Sequence, residues 1–140
     1  MGSIVRTLDF LLLSAFMGVA LGGMAGGAAR HLVSGAVGKR TAHPALGTFA
    51  VNITGALAIG VLAGYVLAAG HAELAAHPFW PLLATGFLGG YTTVSSFSLQ
   101  TFEMMRAGRI GAALINITGS LVLCIGAAAL GITLAGGSAP

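Results

Sequence analysis

Charged residues divide this chain instead of patterning it. After Asp9 no charge appears until Arg30, after Arg40 none until Glu73, then none until Glu103, and none after Arg109. Four apolar stretches result, residues 10–29, 45–70, 78–102 and 110–135. Each reaches or exceeds the roughly 20 residues that carry an α-helix across a ~30 Å hydrocarbon layer. The pattern predicts one all-α membrane domain over residues 1–140, with transmembrane helices at about 8–36, 45–69, 78–106 and 109–136. The connections carry turn residues: Gly35, Gly38 and Pro44 after the first helix, the polar segment from His71 to Pro78 after the second, and Gly108 before the fourth.

Composition agrees. Of 140 residues 56% are apolar and 6% charged, against about a quarter charged in a soluble domain. The 23 glycines show no period of three, which excludes collagen. The cations Arg6, Arg30, Lys39, Arg40, Arg106 and Arg109 sit at segment ends and form no basic stripe, so the net charge of +3 does not indicate nucleic acid. Lys39, Arg40, Arg106 and Arg109 fall on one side of the membrane against Arg6 on the other, which by the positive-inside rule places the N-terminus outside the cytoplasm. Arg6 ahead of an apolar run imitates a signal peptide, but the run is long for one and three further spans follow. Cys124 is the single cysteine, so no intrachain disulfide forms, and in its apolar run it reads as a packing residue. Glycines spaced by four, Gly18, Gly22 and Gly26 on the first span and Gly60 and Gly64 on the second, make small-residue faces that let helix backbones approach closely. They imply a compact, oligomeric bundle.

Polar residues at membrane depth carry the functional signal. The tetrapeptide Asn-Ile-Thr-Gly occurs at 52–55 and again at 116–119. At that depth neither copy can be glycosylated; each reads either as an interhelical hydrogen bond or as part of a polar track. The third span reads Gly89-Gly90-Tyr91-Thr92-Thr93-Val94-Ser95-Ser96-Phe97-Ser98. Paired glycines followed by paired threonines weaken helix propensity, and hydroxyls compete for backbone groups, so a broken third helix is expected near 89–94. Unwound carbonyls in a bilayer must be buried by protein or lined by water, and they commonly coordinate cations. His31, His43, His71 and His77 lack metal-ligand spacing, and no catalytic constellation stands out, so the chain does not read as an enzyme. Asp9, Glu73 and Glu103 lie at span ends, which removes the buried carboxylate of a proton-coupled exchanger. What remains is a track of neutral Asn, Thr and Ser donors beside phenylalanine edges, suited to a small anion that must leave as readily as it enters.

From about Gly22 to Leu130 the sequence resembles the small Fluc or CrcB fluoride channels. The resemblance rests on Gly22-Gly23, Gly26-Gly27 and Arg30, on Pro44, Gly47-Thr48, Val51-Asn52 and Gly55, and on the third-span run from Gly89 to Ser98. It implies a multi-pass protein of the inner (plasma) membrane, an antiparallel, dual-topology homodimer whose two narrow pores pass fluoride down its gradient and out of the cytoplasm. It implies a structural sodium ion at the dimer centre, held by backbone carbonyls of Gly89 and Thr92. It places the pore asparagine at Asn52, the hydroxyl track at Thr93, Ser95, Ser96 and Ser120, an aromatic wall at Phe97, and Arg30 near a pore vestibule; Asn116 receives no firm role. Two positions depart from the family pattern. Val94 replaces an aromatic wall, and Gln100 replaces an acid, which removes proton-linked gating there. A small multidrug exporter, which needs a first-span glutamate, and a non-conducting assembly subunit are the alternatives.

Overall fold

The computed structural model describes residues 2–41, 43–70 and 73–136; His71 lies outside them. Among the described residues all regular structure is helical. Helix α1 spans Gly2–Thr41 and α2 spans Pro44–Ala68. A 3-10 turn, Leu74–Ala76, leads to a π-wound segment, Pro81–Leu88, which runs into the short α3, Gly89–Tyr91. Helix α4 is Val94–Arg106 and α5 is Ile110–Leu134.

Helix α1 extends beyond the expected 8–36 at both ends. Isolated glycines such as Gly35 and Gly38 cost a helix only about 1 kcal/mol each. His43, the residue before Pro44, is extended (φ −127°, ψ 103°), as the proline ring demands of its predecessor. Pro44 then opens α2, where its missing N–H would have had no intrahelical partner. Gly108, at φ 72°, makes the tight turn between α4 and α5 that a side chain would strain.

Helices α1, α2 and α5 are each long and apolar enough to cross a membrane, over Asp9–Thr41, Ala45–Ala68 and Ile110–Leu134. The chain is thus a multi-pass membrane protein by length and composition. The glycine faces set the helix pairing. Positions Gly18, Gly22 and Gly26 meet Leu82, then Phe87, then Tyr91, so α1 runs parallel to the π-wound segment. Gly60 and Gly64 meet Ala128 and Ile132, so α2 and α5 also run parallel, whereas Gly47 lies on Ser34 of the antiparallel α1. At Gly22, Gly26, Gly60 and Gly131 an added Cβ would strike the neighbouring helix's backbone. Lipid supplies no hydrophobic force between helices, so this close approach and its dispersion contacts hold the bundle.

The π winding carries no sequence signature. It places Gly86 against Gly22 and Gly90 against Gly23. Gly89 and Gly90 therefore stay helical, and it is Thr92 (ψ 161°) and Thr93 (φ −151°, ψ 123°) that are extended. The enclosed core is small: among the described residues only Val51 and Val66 are fully buried large side chains. Most large apolar residues face outward, among them Phe10, Leu32, Ile115 and Val122, as expected where the surroundings are lipid.

Candidate functional site

Two extended residues between helices leave backbone groups that no helix can satisfy. The Asn52 side chain, from the middle of α2, takes both groups of Thr93: its Nδ2 donates to the Thr93 carbonyl at 2.9 Å, and its Oδ1 accepts from the Thr93 N–H at 2.8 Å. A carboxamide presents one donor and one acceptor side by side, so it pairs with an extended peptide as a neighbouring strand would. Because the Thr93 N–H turns to Asn52, it does not close the helical bond to the Gly89 carbonyl. Arg30 Nη1 donates to the Thr92 carbonyl at 3.3 Å, and Thr92 Oγ1 donates back to the Leu88 carbonyl. Arg30 thus sits within α1 against the extended pair, and the helix continues past it to Thr41.

The rest of the first tetrapeptide is spent on the same spot. Thr54 Oγ1 gives its proton to the Ala50 carbonyl, so the Tyr91 hydroxyl, 2.9 Å away, donates to it. Gly55 lies under the Thr92 methyl and the Tyr91 ring, where a Cβ would collide with the methyl. On the far side Thr93 caps α4, its hydroxyl accepting from the Ser96 N–H at 3.2 Å. That oxygen also lies 3.1 Å from Ser95 Oγ and 3.3 Å from Ser96 Oγ. Thr93, Ser95 and Ser96 are therefore one connected hydroxyl cluster.

Two hollows flank this region, one at Asn52 and Val94 and the other at Ser96. One, about 300 Å³, is bordered by Asn52, Val94, Phe97, Ile117, Ser120 and Leu121, with no ionised side chain on its wall. Val94 is 76% exposed at its mouth. The other, about 470 Å³, holds Ser96, Gln100 and Thr48 and reaches Lys39 and His31. Gln100 Nε2 donates to the buried Thr48 hydroxyl at 2.9 Å, while its Oε1 is buried and pairs with no described group. Gly89 and Thr92 lie apart from both, on a hollow of about 270 Å³ that they share with Gly55 and Ile59.

The structure thus gathers Asn52, Thr93, Ser95, Ser96, Val94, Phe97 and Ser120 around one junction, sets Gln100 a turn further along α4, and places Arg30, Gly89 and Thr92 on its other flank. Sequence reasoning assigned no role to Tyr91 or to Thr101. A tyrosine next to a helix interruption and a hydroxyl inside an apolar span were the available signals.

Comparison with known proteins identifies the family. A family model described as CrcB-like protein, Camphor Resistance (CrcB), matches residues 17–132. A Bradyrhizobium diazoefficiens protein named fluoride-specific ion channel FluC 2 is 41% identical over 130 residues, covering 92% of this chain and 94% of its own length. A Paracoccus denitrificans protein named fluoride-specific ion channel FluC is 43% identical over 122 residues, covering 87% and 94%. A Rhodopseudomonas palustris FluC 2 of the same description is 45% identical over 125 residues, covering 89% and 95%. With that match extending from α1 through α5 and the relatives aligned over nearly their whole length, the chain belongs to the CrcB family.

Proposed function

We propose that this chain is a fluoride-selective passive channel, not an enzyme, that exports fluoride across the inner membrane. The family and its named relatives supply the ion. The observation that carries the reading to particular residues is the junction of Asn52 with Thr93 beside Phe97 and Ser120. Neutral donors and a phenyl edge stabilise a small anion partly, and the absence of a cation on that wall keeps it from being trapped. Hydrogen bonds run from Asn52 on this hollow through Thr93 to Ser96 on the one at Gln100 and Thr48, where Lys39 draws anions in from the aqueous side. Fluoride trapped in neutral cytoplasm after HF dissociates needs only a conducting path to leave.

The pore is completed by a second, inverted copy. Val94 and Phe97 line a hollow that is open on one side, and the inverted partner closes it, giving two pores per dimer. The segment from Pro81 to Arg106 is the remaining membrane crossing, a third transmembrane helix broken at Thr92 and Thr93. Sodium fits the outer flank of that break. The ligands that the family resemblance implies are backbone oxygens. The Gly89 carbonyl is without its helical donor, and the Thr92 carbonyl keeps a second lone pair beside its bond to Arg30. The Gly89 and Thr92 carbonyls of two copies would hold the ion, which joins the subunits and takes no part in conduction. Arg30 positions the Thr92 carbonyl.

Fluoride efflux from liposomes bearing Asn52→Leu or Phe97→Leu tests the track. Loss of flux in protein that still elutes as a dimer is expected, and unchanged flux in both would overturn the assignment.

A further inference from the structure

The second copy of the tetrapeptide reaches the same helix at another point. Asn116, on α5, donates from Nδ2 to Thr101 Oγ1 at 2.9 Å, and Thr101 donates from Oγ1 to the Phe97 carbonyl at 2.8 Å. Thr101 is 7% exposed, one of three buried polar residues among those described, so little solvent reaches its hydroxyl, while Asn116 is half-buried. Its polarity is fixed by counting protons. A hydroxyl has one, and with the Asn116 N–H occupying a lone pair of Thr101 Oγ1, that proton is left for the Phe97 carbonyl. The same carbonyl accepts the Thr101 backbone N–H within α4, so it receives two donors, and such a side-chain bond to the carbonyl four residues back bends a helix locally. Successive bonds also polarise one another, so the first strengthens the second.

We infer that Asn116 is a positioning residue that acts through the Thr101 hydroxyl on the Phe97 carbonyl and so sets the turn of α4 from which the Phe97 ring borders the pore. The inference rests on the reading of Phe97 as a pore wall. Asn52 holds the start of α4 through Thr93, and Asn116 holds it one turn beyond Phe97, so the two copies of the tetrapeptide grip the phenylalanine-bearing turn from both ends.

The Phe97-Ser98 step is the one Phe-Ser pair in the sequence. Protein labelled with carbonyl-13C phenylalanine and 15N serine therefore gives a single carbonyl-to-amide correlation, reporting the Phe97 carbonyl directly. In the full-length protein in nanodiscs, Asn116→Leu is expected to move that carbonyl resonance upfield in the direction of Thr101→Val, and Thr101→Ser to leave it in place. Fluoride efflux is expected to fall several-fold in Asn116→Leu and in Thr101→Val, to fall no further in the double variant, and to stay near wild type in Thr101→Ser. An unmoved resonance in Asn116→Leu, or losses that multiply in the double variant, would overturn the relay. Wild-type protein that releases no fluoride would instead overturn the channel reading, and the resonance would still decide the relay.

Discussion

The same four residues, Asn-Ile-Thr-Gly, stand at 52–55 in α2 and at 116–119 in α5, two helices that run parallel, yet they meet different surroundings. In α2 they face backbone that is not helical. Asn52 pairs with a peptide group, Thr54 receives the Tyr91 hydroxyl, and Gly55 makes room for the Thr92 methyl. In α5 they face a regular helix, whose backbone is already satisfied. Asn116 can reach only a side chain, Thr118 bonds its own helix at the Leu114 carbonyl, and a Cβ added at Gly119 would meet the Phe49 ring at ordinary contact distance, 3.7 Å. A motif in a membrane therefore takes its role from the hydrogen-bonding deficit opposite it, since water is not there to make up the difference.

Parallel substitutions in the two copies put this contrast to the test. The largest effect is expected from Asn52→Leu, which strands the N–H and the carbonyl of Thr93. Each unpaired buried group costs about 1–3 kcal/mol, so a sharp fall in dimer melting temperature and near-complete loss of fluoride flux are expected. Asn116→Leu strands one hydroxyl oxygen, and its melting temperature should move less. Equal destabilisation by the two would remove the asymmetry. Next is Gly55→Ala, whose methyl must displace the Thr92 side chain from its bond to Leu88 at about 1–3 kcal/mol; Gly119→Ala should leave both stability and flux near wild type. Smaller still is Thr54→Val, which removes the acceptor for Tyr91 at about 1 kcal/mol. Thr118→Val should be silent, because its hydroxyl touches only its own helix turn.

A further variant tests the polar track itself. Gln100→Glu would place a carboxyl beside Thr48 at the Lys39 end of the track. Once ionised it repels fluoride, so efflux should fall as pH rises, while the wild type, with a neutral amide there, should show no such dependence. Flux in both proteins measured across the same pH series would settle it.

Much of the architecture was legible because charge is so costly in lipid. Nine charged residues, all outside the longest apolar runs, were enough to mark out the apolar stretches of α1, α2 and α5, and the glycine spacing forecast faces that the structure uses as backbone contacts. The third apolar stretch was legible only as a place of weakness. Propensity pointed to Gly89-Gly90 as well as to the threonines, but tertiary contact decided otherwise: Gly90 is needed as a helical residue against Gly23, and Asn52 lies where it can receive an extended Thr93. The π winding from Pro81 to Leu88 had no local cue, since it depends on what α1 offers opposite. For the site, residue types gave the chemistry and not the pairings. That Asn52 would spend both ends of its amide on one peptide group, or that Thr101 would bridge Asn116 to Phe97, follows only from how α2, α4 and α5 lie together.

The most direct test of the central claim is ion efflux from liposomes reconstituted with purified dimer, read with a fluoride electrode and, in matched vesicles, a chloride electrode. Rapid loss of fluoride with chloride retained, abolished by Asn52→Leu, is the predicted result. Retention of both ions by vesicles that contain folded wild-type dimer would contradict it.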